Sequence, residues 1–231
     1  MRRQRILTCL PAISESMAKG IKILSGPPFM GVGRFEPSFR GLDFTTELDV
    51  KLPGKAWAIN VPAWDLEERG LGGVGGPGGK PLFHPGNAIR RLTLACKTYD
   101  QWRPYPAEAP LSNYAKEMAM RFARKRARAM RVISSSFPWD FMVMHDHSAA
   151  SLAHLDRDEA CRVAMVAIET SMSVAAEWPD AALVIMSPYG VGNEAGFVVS
   201  NRMEPSVIGN WERVRRYASG ERIDAVGTRP A

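Results

Sequence analysis

The chain has 231 residues, 45% hydrophobic and 23% charged, which suits one globular domain with a sizeable core. With 30 Lys and Arg against 24 Asp and Glu it carries +6 at pH 7, which excludes an acidic, self-repelling chain and admits anionic partners. No run approaches the ~18 apolar residues of a membrane-spanning helix, so no membrane partner is expected. The three cysteines, Cys9, Cys96 and Cys161, are odd in number and form no Cys-x-x-Cys. That argues against a disulfide framework or a cysteine zinc site, and each reads as a small buried apolar residue.

The first ten residues are basic, then briefly apolar. The apolar part is broken by Thr8 and stops at Pro11, too short for a signal-peptide core. It reads as a strand over 5–11 and the protein as cytoplasmic. Helical spacing of Met17, Ile21 and Leu24 predicts a helix over 14–24, with Ser14 as its N-cap and Gly26-Pro27-Pro28 as its stop. Residues 31–54 read as irregular, and Lys55–Val61 as a core strand closed by Pro62. The glycine-rich stretch 70–79 has no Gly-Lys-Ser/Thr and no strand feeding it directly, so neither phosphate-loop pattern is met. A flexible excursion is expected there, followed by a short helix within 86–97.

Residues 112–132 form a strong helix candidate, with Ser112 as N-cap. Much of the positive excess falls in it, at Arg121, Arg124, Lys125, Arg126, Arg128 and Arg131. The plain reading is a solvated helix face; the functional one is contact with nucleic acid or other phosphates through helix 116–131. Only Phe122 interrupts the basic residues, so no base-stacking platform is visible. A strand over 140–145 follows, opened by Asp140 as a turn or capping residue. Next come a helix over 156–177 with Asp156 as N-cap, a strand over 181–186, and an apolar segment over 195–199. The tail from 212 is charged and expected to fray, leaving 205–231 a less certain part of one domain spanning 1–231.

The stretch from Trp139 to Gly190 thus reads as a β-α-β unit, and ligands in open α/β sheets bind at the carboxyl ends of the strands. Three of the four histidines follow the first strand, as His145-Asp146-His147 and His154; the second ends in Ser187-Pro188-Tyr189-Gly190. If the strand continued, His145 and His147 would share one face while Asp146 pointed away. A turn could swing Asp146 in, and His154 could add a third nitrogen, a known style of zinc site. The alternative is a polar loop whose histidines bond backbone or water. Tyr189 could hydrogen-bond a ligand, and Lys19 and Arg34 could meet phosphate. His84 reads as a loop residue.

The order of these pieces resembles the alkaline phosphatase superfamily, in its phosphodiesterase and nucleotide pyrophosphatase branch. The resemblance runs from about residue 5 to about 205. It rests on Leu10-Pro11-Ala12-Ile13-Ser14, Leu24-Ser25-Gly26 with Gly31-Val32-Gly33-Arg34-Phe35, Ala58-Ile59-Asn60-Val61-Pro62, Trp139-Asp140-Phe141, Ser187-Pro188-Tyr189-Gly190 and Phe197–Asn201. It implies a three-layer α/β/α fold with a mostly parallel central sheet. It also implies two metal ions ~4 Å apart that clamp the attacking and leaving oxygens at phosphorus, with a Ser or Thr nucleophile.

Carried over residue by residue, Ser14 takes the nucleophile position and His154 the histidine of an Asp-x-x-x-His pair, whose Asp falls at Ala150. The diagnostic Asp-His pair falls at Pro188 and Tyr189, and no histidine follows His154. The expectation is therefore a divergent domain without the two-metal reaction, acting as a binding or structural protein that could recognise a phosphorylated small molecule near Ser14, with an oligomer that could complete the site. The alternatives are a metal-dependent phosphoesterase using Ser14 with zinc or manganese on His145, Asp146, His147 and His154, and a nucleic-acid-associated basic protein.

Overall fold

The computed structural model describes residues 4–35, 55–61, 72–74 and 113–221. The seven strands there form one sheet in the order β2-β7-β6-β1-β5-β3-β4. The central strands are β1 (Arg5–Cys9), β5 (Phe141–His145) and β6 (Ala182–Ser187). β1 runs parallel to both neighbours, and β3 (Ala56–Ile59) continues the parallel set beyond β5. β7 (Gly196–Ser200) is antiparallel to β6, and β2 (Gly33–Phe35) antiparallel to β7.

Parallel strands covered on both faces read as unbroken apolar runs rather than alternating ones, as Ile6-Leu7, Phe141–Met144 and Leu183–Met186 do. Their side chains still alternate between two cores. Ile6, Met142, Met144, Leu183 and Ile185 pack with α1 (Glu15–Gly20), α2 (Asn113–Ser136), α3 (Ala150–Ala153) and α4 (Arg157–Glu177). Leu7, Phe141, Val143, Val184 and Met186 pack with α5 (Pro205–Ile208) and α6 (Trp211–Ser219). The result is the expected three-layer α/β/α arrangement.

Several expectations hold closely. Asp156 caps α4, its Oδ1 accepting from Glu159 N at 3.0 Å. Asp140 pins the entry to β3, its Oδ2 accepting from Lys55 N at 2.9 Å. Ser14 caps α1, but the helix stops at Gly20 and a 3-10 turn, Lys22–Leu24, follows. α2 runs four residues past the expected end.

Four expectations are corrected. Gly33–Phe35 lies in the stretch read as irregular, yet it is β2. Gly72–Val74 lies in the stretch read as a flexible excursion, yet it is β4, paired parallel with Trp57–Ile59. The tail from 212 does not fray up to residue 221. It forms α6, whose Tyr217 hydroxyl donates to the carbonyl oxygens of Ala182 at 2.7 Å and Ile6 at 3.3 Å. Cys9 is buried but Cys161 is half-exposed. Ser112, Cys96, His84 and the helix within 86–97 lie outside the described residues. Among the described residues no helix is long and apolar enough to cross a membrane.

Gly196 tests the packing between β7 and the turn after β6. A Cβ there would sit 2.1 Å from the Ser187 carbonyl oxygen and 2.9 Å from Pro188 C, both backbone atoms that cannot yield cheaply. Gly196→Ala is expected to destabilise by about 1–3 kcal/mol or more. Gly20→Ala, which meets nothing within 4 Å, is expected to change stability little or raise it by about 0.4–1 kcal/mol. Urea midpoints at constant slope measure both, and equal midpoints for the two variants would contradict this packing.

Candidate functional site

The parallel strands end level with one another. Cys9 is opposite both His145 and Met186, and Asp146 N donates to Cys9 O at 2.9 Å while Leu10 N donates to Met186 O at 2.8 Å. From this edge the chain makes three exits, and the candidate residues lie on them.

The first exit carries Ser14. Ala12, two residues earlier, has φ 65°, a left-handed conformation costing a Cβ-bearing residue roughly 1–2 kcal/mol. It turns the chain back so that Ser14 begins α1. Ser14 is 1% exposed. Its Oγ accepts from Met17 N at 3.3 Å and lies 2.8 Å from Ser16 Oγ. Ser16 in turn donates to Glu194 Oε2 at 3.3 Å, and Arg157 donates to Glu194 Oε1. The neighbouring hydroxyl of Ser14 first, then Arg157, then Ser16, hold Glu194 below the usual carboxylate range.

The third exit closes over the first. A Cβ on Gly190 would lie 2.5 Å from Ser14 Cβ, so only glycine allows the loop after β6 to pass there. Glu15 N donates to Ala195 O at 2.9 Å, which fixes this contact. The sequence places the ends at His145–His147 and Ser187–Gly190 on one border and leaves the position of Ser14 relative to them open; the structure sets Ser14 against Gly190. Tyr189 is 44% exposed at the rim. Lys19 is exposed, with its Nζ 2.7 Å from Glu15 Oε1 one turn earlier. An open groove of about 480 Å³ lies beside them, lined by Ser16, Met17, Gly20, Arg157 and Arg162 among others. Ser14 does not line it.

The second exit holds His145-Asp146-His147, and here the geometry of a continuing strand is corrected. β5 ends at His145, so the three residues do not continue as a strand. The rings of His145 and His147 meet edge to face, 3.9 Å between centroids. Asp146 turns instead to Arg126, which reaches in from α2. Each of these two side chains is 1% exposed, and the guanidinium donates to Asp146 Oδ1 and to Ser148 Oγ. Ser148 N also donates to Asp146 Oδ1, at 2.9 Å. His154 lies exposed at the end of α3. Among the described residues no three His, Cys, Asp or Glu side chains are grouped so as to hold a metal ion. His145, Asp146, His147 and His154 form no such group, and the Asp146 carboxylate is already paired with a protein cation.

Asn60 secures the same corner from β3. Its φ of 55° ends the strand, a conformation Asn tolerates, and its Nδ2 donates to His145 O at 2.8 Å. Arg126, Ser148, Ser16 and Glu194 were not singled out in the sequence as part of the site. For Arg126 a signal existed: it falls on the inward stripe Ala119, Ala123, Met130 and Ile133 of α2, at spacings of three and four.

Burial, then His147, then the Arg126 cation hold the His145 imidazole well below its usual range. The unfolded chain takes up a proton there near pH 6.5, whereas the folded chain does so only at lower pH. Between those values the unfolded state binds more protons, so stability falls as pH falls. Urea melts from pH 7.5 down to 5 should show this loss, to which His145 adds at most about 1.4 kcal/mol per pH unit. His145→Asn should flatten that part of the profile. An unchanged profile in the variant would show that His145 is not its source.

No family model and no curated protein matches the chain. One similar solved structure is described as the crystal structure of Ps i-CgsB in complex with k-i-k-neocarrahexaose, with 9% identity, a TM-score of 0.33, and coverage of 86% of this chain and 66% of that one. The chain thus spans just under two thirds of that protein's length, and a likeness at this level carries no argument about fold, ligand or activity.

Proposed function

We propose that the chain is a divergent alkaline-phosphatase-like domain that works as a binding or structural protein and does not run two-metal phosphoryl transfer. One observation carries this reading: the Asp146 carboxylate, at the strand end where a divalent ion would need it, is bound by the buried Arg126 guanidinium. A guanidinium supplies positive charge but no open coordination position, so it can neither activate a nucleophile nor clamp a leaving oxygen as a metal does.

The surroundings of Ser14 support the same reading. A nucleophilic serine needs a base or metal and room for the reacting phosphorus. Ser14 instead lies beneath Gly190, its oxygen is engaged as a helix cap, and Glu194 is a neighbouring carboxylate. That group is held ionised by its donors, which makes it a weak base and a repulsive neighbour for phosphate. A phosphorylated small molecule therefore finds better room in the groove beside Arg157 and Arg162 than at Ser14 itself.

Two measurements test the proposal. Metal analysis after incubation with zinc or manganese and desalting should find no stoichiometric ion, and no hydrolysis of p-nitrophenyl phosphate esters or diesters should disappear in Ser14→Ala. Two bound equivalents, or a Ser14-dependent activity, would overturn it. The ion pair should behave as a structural element: Arg126→Met is expected to cost about 3–5 kcal/mol by stranding Asp146, and Arg126→Met with Asp146→Leu to recover most of that. Failure of the double variant to recover would assign Asp146 a role beyond this pair.

A further inference from the structure

The positive charge of this protein is gathered on one helix, and most of it on one side. α2 holds seven Lys and Arg and a single Glu, a net of +6, equal to that of the whole chain; the remainder balances 23 basic against 23 acidic residues. Arg121, Arg124, Arg128 and Arg131 are all exposed. At 3.6 residues per turn they fall within an arc of about 80° and span about 15 Å of helix axis. Their burial class and partners contrast with the other cations of the same helix: Lys116 bonds Asp156 at 2.7 Å, and Arg126 is buried against Asp146. None of the four exposed arginines forms an ion pair among the described residues. Glu117, one turn before Arg121, is the helix's single opposing charge.

We infer that this stripe docks the phosphate backbone of a duplex nucleic acid, without reading its sequence. A row of four guanidiniums suits a surface carrying one negative charge per ~1.7 Å, and guanidinium is the side-chain group best matched to phosphate. Two features favour a duplex over other polyanions. Phe122, the only aromatic residue between 115 and 136, is half-buried beneath Lys125 and Arg126, so this face offers no platform on which unpaired bases could stack. The apolar side of α2, with Ala119, Ala123, Met130 and Ile133, is spent in the core, which leaves no apolar face to enter a lipid surface.

The test is fluorescence anisotropy of a labelled 20-base-pair DNA duplex against the full chain at several salt concentrations. Four phosphate contacts predict a slope of log K against log[salt] of about −3.6, and each Arg→Gln at 121, 124, 128 or 131 should lower its magnitude by about 0.9. The quadruple Arg→Gln variant should lose the salt-dependent binding, with an unchanged far-ultraviolet circular dichroism spectrum showing that it folds. Scrambling the duplex sequence should leave the affinity unchanged. A slope shallower than about −1, a slope unaltered in the quadruple variant, or tighter binding to phosphatidylserine vesicles or polyglutamate than to the duplex at equal salt would overturn the inference. These outcomes are independent of metal content and of Ser14.

Discussion

The buried contact between Arg126 and Asp146 is the constraint around which the carboxyl edge of the sheet is organised. Removing two charges from water costs several kcal/mol per ion, and attraction offsets this only where the geometry and the remaining hydrogen bonds are good. Here the Asp146 Oδ1 atom receives both the guanidinium and Ser148 N, while the guanidinium also reaches Ser148 Oγ. These contacts tie the middle of a 24-residue helix to the loop after β5. Because α2 also packs on α4 and on β3, the pair fixes where the first helical layer sits against the strand ends. It also shapes the local chemistry: the one carboxylate of that loop is engaged by Arg126, and burial first, then His147 and the Arg126 cation, hold the His145 imidazole below its usual range.

A second constraint is steric. The chain leaves β1 through a left-handed alanine, starts a six-residue helix at a buried serine, and is covered by a glycine from the loop after β6. Each step restricts the next. The Ala12 conformation aims Ser14 at the sheet edge, the cap interaction occupies its oxygen, and Gly190 lies too close to Ser14 for any side chain. Strain of this kind persists where the surroundings over-determine the backbone, and the contacts from Glu15 to Ala195 and from Gly190 to Glu194 are those surroundings. A place well suited in topology to a ligand is thus closed by the chain itself, and the open space lies one helix turn away, beside Arg157 and Arg162.

The central strands and long helices were legible because their signals are local and repeated: unbroken apolar runs for β1, β5 and β6, and helical spacing bounded by a cap for α4. β2 and β4 were not, since each has three residues, one or two of them glycine respectively, and exists only by pairing with β7 or β3. α6 was hidden by its charge; Trp211, Val214, Tyr217 and Ala218 form a narrow stripe among Glu212, Arg213, Arg215 and Arg216. Within the site, the shared border of His145–His147 and Ser187–Gly190 followed from the topology of parallel strands, but the contact of Ser14 with Gly190 did not. The direction of Asp146 did not, because it depends on where β5 stops and on a partner twenty residues earlier. A run of basic residues read as one surface conceals that one member, at an inward position, has the opposite environment.

α2 shows how position alone separates the fates of identical side chains. Arg126 and Arg128 are two residues apart and chemically the same, yet about 200° apart around the axis. The first is desolvated, and its charge is consumed by one carboxylate in a site of low dielectric, where attraction is strong and little screened. The second stays hydrated with Arg121, Arg124 and Arg131, where a single contact is worth little and only the summed field of the row matters. Mutual repulsion along that row opposes helix formation by a few tenths of a kcal/mol per like-charged neighbour, a cost the apolar packing of the inner face readily outweighs. Packing therefore sets the shape of the helix and permits the charge on its outside, so a partner carrying the opposite charge would relieve a repulsion the fold already tolerates.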